Sequence, residues 1–414
     1  MQFFFKTEGL TPLKEQEFRK YIVARFLYIM ALRMVATVVA YRLFQITQSS
    51  FAIGLVGLAE FIPVFSLALY AGHVIDKSDK RTLLLKGMLT YAVCVIGLII
   101  ITSNYLVKNI SITTQEYFFY FIIFLTGIIR AFAGPTSNAI VSQLVPRSIL
   151  QFASNLSSST WLIASITGHA SAGFMIAGLG VNTTFCIVLG YVLVAAFFIA
   201  GISKKPVLHS NPETNAWKSV KEGLRFVVSN KIMMGAISLD LFAVLFGGAV
   251  ALIPEFASKI LAVGPIGFGW LNAATDLGSM IVIVLLTLFP MRQKQGKRMM
   301  IAVAGFGVCI IVFGLSGIYA VSFAALMLSG MCDGISVMVR GTILQLTTPD
   351  EMRGRVSSVN SMFINSSNEL GMMESGIASR IMGIVPAVVF GGSMTLLVVI
   401  ITWFKAPTLR KMEY

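Results

Sequence analysis

Twelve apolar stretches, each about as long as a bilayer is thick, fill this chain between Tyr21 and Phe404. Lipid offers no partner to a free backbone N–H or C=O, so a spanning segment must satisfy its own peptides, which takes roughly 20 apolar residues of helix. The pattern restricts the fold to an all-α membrane protein of twelve transmembrane helices before any motif is read. The spans run over 21–46, 52–75, 82–103, 117–141, 154–179, 183–202, 232–256, 266–289, 299–317, 320–346, 356–379 and 384–404. A content of 56% apolar and 12% charged residues, with a mean hydropathy of +0.83, excludes an ordinary soluble domain.

Threading the spans with both ends on one face gathers most of the 32 Lys and Arg residues on that face; only Lys108 and Lys259 fall in opposite loops. The positive-inside rule makes the basic face, and both termini, cytoplasmic. Arg25, Arg33, Arg42, Arg130, Arg340 and Arg380 lie within or near spans. The net charge of +14 is thereby read as a topology signal with contacts to anionic lipid, not as a nucleic-acid surface. Cys94, Cys186, Cys309 and Cys332 all lie in spans without metal-ligand spacing, so buried thiols are expected, and neither a metal nor a cofactor. Residues 1–20 are polar and charged after a short Phe run, so no signal peptide is expected and the first span is retained.

The longest polar interruption divides the chain into a six-helix bundle over 1–203, a linker over 204–231 and a second six-helix bundle over 232–414. The halves echo one another. QLVPRSILQFASNLSS after the fourth span and QLTTPDEMRGRVSSVNS after the tenth share Gln-Leu, a Pro, a basic position and a Ser-rich helix start, with Pro146 and Pro349 203 residues apart. Two parallel repeats related by an axis along the membrane normal follow, with a path between them. In the linker, Trp217, Val220, Leu224, Val227 and Val228 recur at helical spacing, with Lys218, Lys221, Glu222 and Arg225 on other faces. A helix lying on the membrane surface and a packing brace between the halves are equally consistent with that pattern.

After the second span comes GHVIDKSDKR, Gly72 to Arg81, a tight loop in which an acid precedes several bases. Asp76 can sit at the positive end of a neighbouring helix while Lys77, Lys80 and Arg81 meet lipid phosphate or carboxylates. This segment resembles the inner-loop signature of the major facilitator superfamily, with Asp79 where a second Gly is usual, which predicts a looser turn. RGTILQLTTPDEMRGRVSSVNSMFINSSNELGMMESG (Arg340 to Gly376) and SFAIGLVGLAEFIPVFSLALYAGHV (Ser50 to Val74) resemble the enterobactin-exporter-like branch, which takes in siderophore and drug exporters. The similarity extends over nearly the whole chain. It implies a proton-driven exporter of small molecules in the bacterial inner membrane, working by alternating access, and a role for Gly72, Asp76, Lys77, Lys80 and Arg81 as a conformational switch. Two departures stand out. His169, in GHASAG, takes a position where such exporters carry a kink-forming Pro, and Met372 and Met373 replace a more polar or aromatic pair.

Ionisable groups inside spans cost several kcal/mol and need a partner or a wet cavity, so function is their default reading. Near mid-depth lie Arg33, Arg130, Asp240, Asp276, Asp333 and Glu369, with Glu60 and Glu374 nearer the outer side and Arg340 nearer the inner. The resemblance links Arg130, in GIIRAFAG, to proton coupling. An Arg stays charged at working pH, so its part is to tune a nearby carboxylate. One of Asp240, Asp276, Asp333 and Glu369 is expected to carry the coupling proton, Asp240 and Glu369 first, although a static pair with Arg340 serves any one of them equally well. On the eleventh span Ser361, Asn365, Asn368, Met372 and Ser375 fall on one arc at about 100° per residue, with Glu369 at its edge and Glu374 on another face. So much amide surface faces a cavity or a partner helix. Arg33, Glu60, Asn365, Asn368, Met372 and Glu374 are therefore the candidate cavity residues.

Gly168, Ala172 and Gly173 make a small-residue face suited to close packing at the interface between halves, Gly72 is a close-packing position, and Pro63 and Pro254 are places for a bend. His169 reads as a hydrogen-bonded structural residue. A membrane enzyme is the competing class, but no His-Glu-X-X-His, Gly-X-Ser-X-Gly or phosphate-loop motif occurs in the sequence. The expected partners are a small-molecule substrate, protons and the lipid bilayer, in a monomer without nucleic acid. A siderophore is the leading substrate, with multidrug efflux or lipid and lysolipid flipping as alternatives.

Overall fold

The computed structural model describes residues 7–206, 216–289, 291, 293–349 and 352–413, and within these the side chains of all but residues 7, 8, 69, 76 and 216–220. Lys6, Arg292 and the side chains of Asp76, Trp217, Lys218 and Val220 thus lie outside the described residues. A 3-10 segment, Thr7–Lys14, precedes α1 (Gln16–Thr47), α2 (Ser50–Lys77), α3 (Lys80–Ile101), α4 (Asn104–Asn109), α5 (Ile112–Leu144) and α6 (Leu150–Ala200). Then come α7 (Ala216–Ser229), α8 (Lys231–Gly247), α9 (Ile253–Glu255), α10 (Pro265–Leu288), α11 (Gln295–Leu315), α12 (Tyr319–Thr347), α13 (Arg353–Met382), α14 (Ile384–Lys405) and α15 (Pro407–Arg410). No strand occurs among the described residues.

Among the described residues, ten helices are long and apolar enough to cross a membrane. One of them, spanning Arg147–Ala200, holds two crossings, because Gly180 at φ 79, ψ 170 breaks α6. The polar stripe of α13 keeps that helix out of the ten by composition. With both counted, each of the twelve spans read from the sequence is accounted for. Gly180 and Gly383 (φ 86, ψ 165) each separate two spans, and they stand at the same 203-residue offset as Pro146 and Pro349. Both backbones lie in a region closed to residues with a Cβ, so the two sharp reversals depend on glycine.

The chain resolves into two compact units: Met1–Val39 with Ser66–Glu213, and Ala40–Phe65 with Thr214–Tyr414. The boundary passes through α1 and α2, so the hairpin where these helices meet groups with the second unit. In the first unit α3 packs on α5 and α6. The small-residue face of α6 is buried against α1 of the same unit: a Cβ on Gly168 would stand 2.8 Å from the Met30 carbonyl oxygen and from the Arg33 Cβ. In the second unit the most extensive packing joins α10 to α12 and α11 to α12 and α14. Gly278 and Gly330 let α10 and α12 touch backbone to backbone, and the Ser279 hydroxyl donates to the Gly330 carbonyl at 3.0 Å.

The seventh span is irregular. α8 stops at Gly247, and the chain continues through a 3-10 turn (Ala249–Leu252), α9 with Pro254, and a π-helical turn (Phe256–Ile260). Non-helical backbone survives at membrane depth only when protein satisfies it. Here the Ser375 hydroxyl donates to the Gly248 carbonyl, just past the end of α8, at 3.2 Å. The linker helix α7 is a brace on the second unit. Val227 is fully buried with Met233, Ile237, Val356 and Val359, and Glu222 pairs with Arg355 at 2.5 Å. An adjoining face leaves Leu224 and Val228 exposed.

Candidate functional site

Only Ser78 and Asp79 separate α2 from α3, so the turn is tight despite lacking the second glycine. Asp79 makes it so by capping α3: its carboxylate accepts from the backbone N–H groups of Arg81 (3.3 Å) and Thr82 (3.2 Å), from the Thr82 hydroxyl, and from the N–H of Lys205 at 3.0 Å. Partial burial pushes the Asp79 carboxyl up, but the bonds from Thr82, Lys205 and Arg81 outweigh it and hold it below the usual carboxylate range. Arg81 reaches the end of α6, its guanidinium donating to the carbonyls of Ile199 (3.2 Å), Ile202 (3.1 Å) and Ala200. A cation over the free carbonyls of a helix C-terminus is favourable. Lys80 is buried and Lys77 exposed. Gly72 is exposed, and no described atom lies within 4 Å of the point that a Cβ would occupy there. The close packing expected at Gly72 is therefore not found among the described residues.

Arg33 on α1 stacks over the Trp161 ring at 4.8 Å. One turn later Thr37 donates to the Arg33 carbonyl at 3.0 Å, and its hydroxyl meets His169 Nδ1 at 2.7 Å. His169 is buried in that bond, as a structural histidine should be. Arg130 is half-buried on α5. A constellation that no motif announces lies nearer the start of α1: Arg25 donates to the Ser157 carbonyl (3.1 Å), the Tyr21 hydroxyl (3.1 Å) and the Ser137 hydroxyl (2.5 Å). The spacing of Tyr21 and Arg25, one helical turn apart, is the signal that the sequence holds for it.

In the second unit Asp240 on α8 and Arg340 on α12 form an ion pair, both nearly inaccessible, and the Ser336 hydroxyl donates to Asp240 at 3.3 Å. Glu369 is buried on α13, whereas Asp276 on α10 and Asp333 on α12 are half-buried. Asp276 and Asp333 stand close enough for their charges to act on each other. The stripe on α13 divides along its length: Ser361, Asn365 and Asn368 are exposed, while Met372 and Ser375 are packed. Met372 lies against Gly54 and Gly57 of α2. Glu374 faces away, in an apolar groove of about 420 Å³ lined by Leu370, Met373, Ile377 and Phe390. Glu60 is half-buried on α2. At the start of α2 the Ser50 hydroxyl donates to Glu255, which also pairs with Lys259 at 2.9 Å, and Lys259 stands 5.7 Å over the Phe44 ring. Sequence alone does not single out Glu255, because the broken course of the seventh span around it has no sequence signature.

The arrangement holds ion pairs and hydroxyl networks inside spanning helices, and no group of three or more metal-ligating residues occurs among the described residues. The chain is similar to the enterobactin exporter of Shigella flexneri, 24% identical over 83% of this chain and 80% of that protein. The enterobactin exporter of Escherichia coli (strain SMS-3-5 / SECEC) matches with the same identity and coverage. Among solved structures the fold is similar to a D-xylose–proton symporter, with TM-score 0.74 at 12% identity over 96% of this chain and 99% of that one. It is also similar to a bacterial homologue of the human lysosomal transporter Spinster in an inward-facing, unoccupied conformation, with TM-score 0.70 at 14% identity over 98% and 97%. The transmembrane secretion effector family matches residues 7–414. The protein is thus a multi-pass membrane transporter of small molecules and not an enzyme, and it belongs to the transmembrane secretion effector family of the major facilitator superfamily.

Proposed function

We propose that this chain is a proton-coupled exporter of a siderophore-class molecule in the bacterial inner membrane, with both termini cytoplasmic and the two halves alternating access around a central site. The observation that carries the coupling is the Asp240–Arg340 pair. A buried ion pair is often no more stabilising than apolar residues of the same volume, so its presence inside a bilayer points to a task beyond stability. Protonation of Asp240 cancels its charge, frees Arg340 and Ser336, and leaves α8 and α12 able to shift against each other. Arg340 holds its charge throughout, so it serves as the fixed counter-ion and a docking charge for an anionic chelator while Asp240 is protonated.

The exposed amides of Asn365 and Asn368 supply the hydrogen bonds that a catecholate or hydroxamate oxygen needs. Similarity to the enterobactin exporters supports the siderophore class. The cluster of Ser50, Glu255 and Lys259 ties the start of α2 to the seventh span, and in this reading it opens when the product leaves on the outer side. A second reading, efflux of cationic drugs, is favoured by Glu374, a carboxylate in an otherwise apolar groove.

The test is transport in proteoliposomes with enterobactin and a fluorescent lipophilic cation as alternative substrates, under an imposed proton gradient. Asp240→Asn should abolish substrate-driven proton movement while leaving counterflow of enterobactin measurable. Proton movement unchanged in Asp240→Asn rejects the coupling site, and transport of the cation alone rejects the siderophore.

A further inference from the structure

The end of the chain folds back on the beginning of α11. Leu409 of α15 is fully buried, seated between Gly235 of α8 and Gly296 of α11. A Cβ on Gly296 would overlap the Leu409 carbonyl, and one on Gly235 would stand 3.3 Å from the Ala406 Cβ. The Gly296 N–H donates to the Met412 carbonyl at 3.2 Å. Just before α11, Lys294 takes a left-handed backbone, φ 53 and ψ 39, which a residue with a Cβ seldom adopts. These features hold together a cavity of about 350 Å³ walled by Lys294, Lys297, Arg410, Lys411, Trp403 and Glu413.

Four cations around a common space with one carboxylate give it a net positive potential that draws an anion. Arg410 is held in place, with its guanidinium 5.1 Å over the Trp403 ring and a bond to the Trp403 carbonyl at 3.4 Å. Beside the cavity, on the same last turns of α14, Ile400, Ile401 and Phe404 are exposed. A charged recess bordered by bare apolar side chains at the end of a span is a boundary between headgroups and acyl chains, where Trp also prefers to sit. Basic pockets between spans at the membrane surface take acidic headgroups.

We propose that this cavity seats the headgroup of an anionic phospholipid of the phosphatidylglycerol type. The phosphate diester meets Lys294, Lys297, Arg410 and Lys411, a headgroup hydroxyl donates to Glu413, and the acyl chains run along Ile400, Ile401 and Phe404. Free inorganic phosphate shares the anionic chemistry but leaves the apolar border and Glu413 unused. The site is independent of what is transported, and it ties the lipid to the C-terminal turn.

The test uses the full chain in nanodiscs and in detergent, with native mass spectrometry counting retained lipid and thermal unfolding read by fluorescence. Wild-type protein should retain phosphatidylglycerol in preference to phosphatidylcholine and unfold at a higher temperature with it. Removing two charges in Lys297→Gln with Arg410→Gln should weaken that preference about 30-fold, from the free energy that each basic group contributes at an anionic surface. Lys108→Gln, on α4 and remote in sequence from this site, should leave it intact. If the double variant does not fold, the exposed single changes Lys297→Gln and Lys411→Gln should each lower retention several-fold. Retention equal to wild type in these variants overturns the site. Displacement of the lipid by millimolar inorganic phosphate overturns the lipid assignment.

Discussion

The two ends of α13 carry similar residues and meet different surroundings. Toward Arg353, Ser361, Asn365 and Asn368 are exposed; toward Met382, Gly371, Ser375 and Gly376 are buried. The buried end owes its packing to glycine. A Cβ on Gly376 would stand 3.1 Å from the Ser50 carbonyl oxygen, and one on Gly371 2.9 Å from that of Leu245. α13 is thereby wedged between the start of α2 and the end of α8. The exposed end is held differently: the Asn368 amide donates within its own helix, to the Ile364 carbonyl at 3.0 Å. One helix thus combines an anchored half with a half whose polar groups are exposed.

That contrast breaks first at Gly376. Gly376→Leu should overpack the wedge and cost about 3 kcal/mol or more, read as a large fall in unfolding temperature in detergent. A fall no larger than that for Asn365→Leu would mean that the two halves are equally free. Next, Ser375→Ala deprives the Gly248 carbonyl of its donor, and leaving a buried acceptor unmet should cost about 1–3 kcal/mol, with faster amide exchange confined to the seventh span. Outside the helix, Asp79→Asn should cost about 1 kcal/mol: Asn can still cap a helix, but the amide nitrogen that replaces one carboxylate oxygen cannot accept the bonds that both oxygens now receive. Because Asp79 titrates below its usual range, its contribution is complete at pH values above the unfolded carboxylate pKa of about 3.9 and disappears as pH falls through the lower folded value. Unfolding curves of Asp79→Asn and wild type should therefore converge only in acid. The smallest stability change belongs to Asn365→Ala with Asn368→Ala, within about 0.5 kcal/mol, yet the pair should reduce substrate transport severalfold. Unimpaired transport would remove the stripe from the pathway.

Much of this fold is legible in the residues. Hydropathy alone places twelve spans, since lipid enforces one rule on every peptide, and the echo of Pro146 in Pro349 gives the repeat that Gly180 and Gly383 carry in the backbone. The arc of Ser361, Asn365, Asn368, Met372 and Ser375 is also visible, because helical period is a local property. Its division into an open and a packed half is not, since Gly54 and Gly57, more than 300 positions earlier in the sequence, decide it. At Asp79 a missing glycine is conspicuous and suggests a loosened turn, whereas a cap needs the geometry of Thr82 and Lys205 to be recognised. Asp240 and Arg340 both stand out in the sequence, but one-dimensional spacing cannot say which of four carboxylates meets the guanidinium. Gly168 is recognisable as a contact point, yet its partner is α1 of the same unit, for small residues advertise proximity and not its address.

The interruption of the seventh span has a further consequence for how the polypeptide is made. Its Gly248 carbonyl, just past the end of α8, is met by the Ser375 hydroxyl 127 residues downstream, which leaves the ribosome only after this segment has already been handed to the bilayer. Until Ser375 arrives, that oxygen lacks this donor and must turn to water or to an insertion partner. Biogenesis should therefore stall at this point in truncated chains that end before α13, and nascent-chain crosslinking to the insertion machinery should persist at this segment longer than at its neighbours.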